Sequence, residues 1–102
     1  MSRVVKVKVL RGIFERLRGL EFREADDANY LFKNCNSIHT FGMKEPIDVA
    51  FVGDDGEVLS VIRSVRAGKV LRNRNAKFTI ERFASEKPWV EVGLKYKFKE
   101  ER

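Results

Sequence analysis

The chain has 102 residues, of which 43% are hydrophobic and 35% charged, with 21 Lys and Arg against 15 Asp and Glu. This length predicts one domain over residues 1–102 with a single core. No apolar run reaches the roughly 18 residues of a membrane-spanning helix, and the amino terminus lacks the apolar segment of a secretory signal. One cysteine cannot close an internal disulfide, so we expect a cytoplasmic protein without membrane contact.

The charge balance leaves the partner open. A net charge of +6 raises encounter rates with nucleic acid, anionic lipid and acidic ligands alike. Abundant Lys, Arg and Glu with no glutamine is also typical of heat-adapted proteins, whose surfaces carry ion-pair networks. Composition therefore does not show that any of these is a partner.

The first third of the chain predicts two strands separated by a helix. Alternating valines and lysines over Val4–Leu10 indicate a strand with one buried face. Apolar residues recur at helical spacing over Ile13–Leu20, which predicts a short amphipathic helix. The apolar run Tyr30–Phe32 suits a buried strand, and extended structure resumes over Ile38–Phe41.

The middle of the chain predicts a hairpin. Alternation over Ile47–Val52 and again over Val58–Val65 flanks the sequence GDDG, whose glycines and aspartates are typical turn residues. We expect a basic loop over Ala67–Asn75, a strand over Lys77–Phe83 and a closing strand near Tyr96–Phe98.

These elements predict a mainly β (α+β) fold, a small antiparallel sandwich or barrel-like structure with one short helix. Should the first and last strands pair, their lysines would form one exposed stripe, and lysines at sheet edges commonly guard against aggregation.

One stretch collects the chemically interesting residues. Cys35 and His39 lie four apart, so on a regular strand both would project from one face, and Asp48 would approach them across a loop bracketed by Gly42 and Pro46. A thiol, an imidazole and a carboxylate can serve as nucleophile, base and orienting group. The competing interpretation is a packed thiol and a hydrogen-bonded histidine, so no catalytic residue is assigned.

Metal and cofactor sites have little support. A zinc site needs three or four Cys, His or carboxylate ligands, and Cys35 and His39 would need carboxylates such as Asp48 to complete one. We predict no metal and no cofactor. Phe41 and Met43 are interpreted as core residues.

A nucleic-acid interface is a separate hypothesis. Lys69, Arg72 and Arg74 concentrate positive charge in the basic loop, and Trp89 or Tyr96 could stack on bases. No recognition motif accompanies them.

The chain resembles the domain-of-unknown-function 192 family. The resemblance rests on RGLEFR at Arg18–Arg23 and on SIHTFGMKEPIDVAFVGDDGEVL at Ser37–Leu59, which follow the family's Arg-Gly-Leu, aromatic-x-Met, Pro-hydrophobic-Asp and Asp-Gly series. It implies a compact, mainly β fold with a short helix near the Arg-Gly-Leu segment, and it implies no activity.

The leading functional hypothesis is a noncatalytic binding or accessory domain for a small anionic or polar ligand. Its candidate pocket residues are Arg18, His39, Thr40 and Asp48. We also expect Asp48 to be largely buried and compensated by Arg18 or Arg23, because an isolated buried carboxylate is too costly. An enzyme using Cys35, His39 and Asp48 is the first alternative, and nucleic-acid binding is the second.

Overall fold

The computed structural model describes residues 3–11 and 23–101. Eight strands form there: β1 (Val4–Val9), β2 (Tyr30–Lys33), β3 (Ser37–His39), β4 (Ile47–Val52), β5 (Val58–Val65), β6 (Val70–Arg72), β7 (Phe78–Phe83) and β8 (Lys97–Glu100). The described residues contain no helix, and so none with the length and apolar character to cross a membrane. The helix predicted at Ile13–Leu20 lies outside the described residues.

Six strands form one mixed sheet in the order β5-β4-β7-β2-β1-β8. The mainly β prediction is confirmed, and the main sheet is mixed where an antiparallel fold was expected, because β1 runs parallel to both β2 and β8. Parallel neighbours require a crossover connection of a dozen or more residues. Residues 10–29 supply one between β1 and β2, and a strand pattern does not show which way such a connection returns.

The central hairpin forms as predicted. Strands β4 and β5 have the expected bounds and pair antiparallel. In the turn, the Gly53 N–H donates to the Glu57 carbonyl at 2.8 Å. Gly56 adopts a φ of 86°, and a Cβ there would lie 2.5 Å from the Tyr96 carbonyl oxygen. The turn therefore requires glycine both for its left-handed backbone and for its contact with residues 93–96.

Apolar side chains cover both faces of the main sheet, so every residue of β4 is buried. One face carries a cluster that includes Tyr30, Phe32, Ile47, Val49 and Phe51. The other face carries a cluster that includes Val7, Leu31, Ala50, Val52 and Ile80. Val90 belongs to the second cluster and Trp89 packs against it, so the segment before β8 helps cover that face.

Strands β3 and β6 form a separate two-stranded antiparallel sheet. Ile38 of β3 and Leu71 of β6 pack against the first cluster, which places this small sheet over that face. The basic segment was predicted to be a loop, and β6 corrects that prediction. Three residues carry too little pattern of their own, and the pairing with β3 decides their structure.

The first and last strands do pair, with Lys6 of β1 opposite Lys99 of β8. Both lysines are exposed. The predicted lysine stripe is therefore present, and it lies where β8 forms the outer edge of the sheet.

Candidate functional site

Asp48 lies on the β4 face that carries Ala50 and Val52, and it is 0% exposed. Its Oδ1 accepts the Ser64 N–H at 2.9 Å, and its Oδ2 accepts the Arg82 Nε–H at 2.8 Å. The Ser85 N–H and the Arg63 Nε reach the same Oδ2 at 3.3 Å. The predicted burial and arginine pairing of Asp48 are confirmed.

The described arginines at Asp48 are Arg63 and Arg82, and the sequence suggested neither of them. Arg23 lies over the Tyr30 ring at 4.9 Å, and Arg18 lies outside the described residues. Arg82 was not singled out, because alternation placed it on the same side of β7 as two apolar residues and gave no sign of a buried cation. The register supplies the missing signal, since Asp48 and Arg82 are cross-strand neighbours of β4 and β7.

The remaining donors of Arg82 are also used. Its two terminal nitrogens donate to the carbonyls of residues 85, 87 and 88, and its guanidinium lies 4.8 Å from the centre of the Trp89 ring. The indole N–H of Trp89 in turn donates to Asn29 at 2.8 Å. The Asp48–Arg82 pair therefore fixes the segment after β7 onto the sheet.

Asp48 also explains an irregularity in the hairpin. Ile47 pairs with Val65 whereas Val49 pairs with Ile62, so two residues of β5 face one of β4. This is a β-bulge, and Ser64 within it has a φ of 55°. The hydrogen bond from Ser64 to the Asp48 carboxylate satisfies the backbone N–H that the bulge removes from the ladder.

Thr40 is buried and points into the structure. Its hydroxyl donates to the Arg66 carbonyl at 2.7 Å and accepts the Lys69 N–H at 2.9 Å. Backbone hydrogen bonds join Thr40 to Lys69 and Gly68 as well. A hydroxyl engaged in this way holds the connection into β6 and is not directed toward a ligand.

His39 has the opposite environment. It is exposed on β3, and its ring stacks on that of Phe41 with centroids 5.4 Å apart and an interplanar angle of 27°. Phe41 was predicted to be a core residue, but it is 53% exposed. Val70, the cross-strand neighbour of His39, is 64% exposed. Three adjacent apolar or aromatic groups are thus presented to solvent.

The structure separates Cys35 and Asp48 from His39. Cys35 packs with the first core cluster and its thiol donates to the Ser37 carbonyl at 3.4 Å, whereas His39 faces outward. Asn34 has a φ of 53° and β3 begins only at Ser37, so no regular strand connects Cys35 to His39. Asp48 points to the far face of the main sheet. The expectation that one bend brings these three side chains together is wrong.

The structure instead places His39 on the same face as Arg72, one of the residues of the predicted nucleic-acid interface. Arg72 lies opposite Ser37 in the small sheet, two positions from Val70 and therefore on the same outward face as His39. Lys69 and Arg74 flank β6, and both are exposed. We call this surface the β3–β6 face, and it consists of Ser37, His39, Phe41, Val70 and Arg72. Trp89 and Tyr96 pack with the second cluster, across the main sheet.

The segments that contain this face carry basic residues but no acidic ones. Residues 28–44 and 58–80 contain eight of the 21 Lys and Arg and none of the 15 Asp and Glu. The rest of the chain has 13 basic residues against 15 acidic ones, so it carries no net positive charge. Among the described residues, none forms an ion pair with the basic residues of the 66–77 segment, which are Arg66, Lys69, Arg72, Arg74 and Lys77.

Sequence reasoning missed Glu81. It lies between Tyr30 and Val49 in the register of β7, on the face of the first cluster, and is 4% exposed. Burial raises the pKa of the Glu81 carboxyl to about 8. No described residue pairs with it, so the neutral form is what the interior accommodates. Only the alternation of β7, which also places Thr79 and Phe83 on that side, could have indicated its burial.

The described residues contain no cluster of metal ligands, and two surface clefts lie away from the predicted pocket residues. Within residues 3–11 and 23–101, no three His, Cys, Asp or Glu side chains are grouped as a metal site requires. Two surface clefts, of about 330 and 540 Å³, border the segments 25–29 and 82–90, and neither includes His39, Thr40 or Asp48.

A family model matches most of the chain, residues 1–91, and describes the DUF192 family as an uncharacterized ACR. The chain belongs to the DUF192 family. This confirms the resemblance seen in the sequence, and the family description assigns no activity. No curated protein matches the chain.

Two solved structures share the fold of this DUF192 chain. One is a protein of unknown function from Novosphingobium aromaticivorans DSM 12444, with a TM-score of 0.62 and 20% identity over 81% of this chain and 62% of that one. The other is a provisionally named transcription regulator from Sinorhizobium meliloti 1021, with a TM-score of 0.60 and 20% identity over 79% of this chain and 67% of that one. This chain therefore spans about two thirds of their lengths. Likenesses at this identity show the fold alone.

Proposed function

We propose that this protein is a noncatalytic binding domain that holds a polyanionic partner on the β3–β6 face. The observation that carries the proposal is the exposed His39–Phe41 ring pair beside Val70 and Arg72. It lies in two segments, residues 28–44 and 58–80, that contain Lys and Arg but no Asp or Glu. Exposed apolar side chains grouped in one place and bordered by charge are typical of binding surfaces.

The separation of Cys35, His39 and Asp48 supports binding over catalysis. A nucleophile and its base must come within hydrogen-bond reach, about 2.6–3.2 Å. Here the thiol packs inward and the carboxylate is enclosed by two arginines, while the imidazole faces solvent. The candidate catalytic set therefore has no common site.

The same geometry supports binding at an exposed surface rather than in the predicted pocket. Thr40 and Asp48 use their polar atoms within the protein, so His39 is the described pocket candidate that faces solvent. Cations next to it, which form no ion pair with a described carboxylate, raise the local concentration of an anionic partner and its encounter rate. The proposal places the protein in the cytoplasm, the reducing compartment that a single cysteine favours.

Heparin chromatography tests the site. The double variant Lys69→Glu with Arg72→Glu should elute at clearly lower salt than the wild type, because two contacts with the polyanion become repulsive. The matched control is Lys97→Glu with Lys99→Glu, which makes the same charge change on exposed residues of β8. Its elution should stay close to that of the wild type. Equal shifts of the two variants would mean that net charge alone governs retention, and the proposed face would be wrong.

A further inference from the structure

We infer that the partner is a single-stranded nucleic acid whose bases stack on His39 and Phe41. This inference rests on the proposed function and names its ligand. The supporting observations are the exposed ring pair, the apolar neighbour beside it and the cations around it.

The ring pair provides a stacking surface. Two planar rings, already stacked on each other, project from an open two-stranded sheet. Bases of a single strand expose their faces and stack on aromatic side chains, whereas bases of a duplex are already stacked within the helix. Exposing the Phe41 ring to water is unfavourable in the free protein, and a stacked base would cover it.

The cations provide phosphate contacts on either side. Arg72 shares the outward face with the rings, and Lys69 directly precedes β6. Arginine and lysine next to aromatic rings form the usual combination for a strand that threads across a protein surface. Residues 28–44 and 58–80, which contain the face, include no Asp or Glu. No carboxylate of these two segments would therefore repel the phosphates.

The aromatic pair is what distinguishes a nucleic acid from other polyanions. An acidic protein or an anionic lipid surface needs the cations but has no use for stacked planar rings. Val70 continues the apolar strip beside His39, and it widens the area that a base can cover. RNA and single-stranded DNA share this stacking chemistry, so the test includes both.

The test is fluorescence anisotropy at low salt. The probes are labelled 12-nucleotide RNA and DNA single strands and the corresponding DNA duplex. We expect the wild type to bind at least one single strand more tightly than the duplex. Phe41→Ala should weaken that binding about 5- to 150-fold, which is the range for loss of one stacked base, and Phe41→Trp should retain it.

Val92→Ala is the matched control, because Val92 is another exposed apolar residue, 59% accessible, outside the face. It should leave single-strand binding unchanged, and circular dichroism should show all three variants folded. Equal binding of wild type and Phe41→Ala, or duplex binding as tight as single-strand binding, would overturn the inference. Heparin retention that still depends on Lys69 and Arg72 would then leave the proposed function intact. If single-strand binding did not depend on Phe41 and heparin retention did not depend on Lys69 and Arg72, both the inference and the proposed function would be overturned.

Discussion

Asp48 and the rings of His39 and Phe41 lie within one short stretch of sequence but differ in their burial and in their partners. Asp48 is sealed in the interior, where four donors converge on its carboxylate. His39 and Phe41 lie on the surface, next to cations that form no ion pair with a described residue. The first arrangement completes its interactions within the chain, and the second is the surface on which we propose that another molecule binds.

The difference shows how to interpret polar residues in a motif of this kind. A polar side chain whose partners lie on neighbouring strands serves the fold, because burying it without them would cost several kcal/mol. An exposed aromatic ring gains nothing from its position in the free protein. Phe41 is therefore a better candidate for a binding residue than Asp48, although a sequence motif gives both residues the same prominence.

Removing the Asp48 carboxylate should have the largest effect on stability. In Asp48→Ala, the Arg82 side chain, only 9% exposed, would keep its charge without a counterion. Breaking a buried pair from one side costs about 3–5 kcal/mol. We expect urea denaturation to show a loss of that size in the free energy of unfolding.

Arg63→Ala is the control for this prediction. Arg63 also reaches Asp48, but its side chain is 44% exposed, so its loss should cost about 1 kcal/mol or less. If Asp48→Ala were no more destabilising than Arg63→Ala, the view of Asp48 as a buried structural centre would be wrong.

Glu81 sharpens the comparison, since it is a second buried carboxyl and no described arginine pairs with it. Its pKa is raised by burial from 4.5 to about 8. The unfolded chain releases this proton near pH 4.5 and the folded protein only near pH 8. The contribution of Glu81 to the free energy of unfolding is therefore greatest below pH 4.5, falls as the pH rises and levels off above pH 8. By pH 7 the loss amounts to about 3 kcal/mol, at 1.36 kcal/mol for each pH unit.

Glu81→Gln removes this titration. The free energy of unfolding of the variant relative to wild type should rise between pH 4.5 and pH 8, as measured by urea denaturation at several pH values. Tyr30, the cross-strand neighbour, does not interfere, because burial raises the pKa of its hydroxyl to about 12. Parallel pH profiles for the two proteins would show that Glu81 is not held neutral.

Local sequence patterns were sufficient to predict most strands but not to predict which strands pair. Alternation identified β4 and β5 to the residue, because each is long enough to show a period and GDDG marks the turn between them. The parallel placement of β1 between β2 and β8 depends on a crossover, and β6 depends on its pairing with β3. Those are long-range choices that no local pattern contains.

The site was predictable only in part for the same reason. Burial of Asp48 and its need for an arginine followed from the cost of an isolated charge, but the identity of Arg82 required the register of β4 and β7. His39 faces solvent, and the neighbours that the sequence suggested for it, Cys35 and Asp48, lie elsewhere. The position of Phe41 at the surface could not be predicted without knowing that Ile38 of β3 faces the core and that Phe41, just after β3, does not.

The smallest effect on stability is expected on the β3–β6 face. Phe41→Ala removes a ring that is 53% exposed and contacts mainly another exposed ring. Surface substitutions away from buried features usually change the free energy of unfolding by no more than about 0.5 kcal/mol. Urea denaturation of this variant should therefore overlay that of the wild type, even though single-strand binding falls. A loss of several kcal/mol would instead place Phe41 with Asp48 among the residues that serve the fold, and a decrease in binding could then no longer be attributed to the stacking surface.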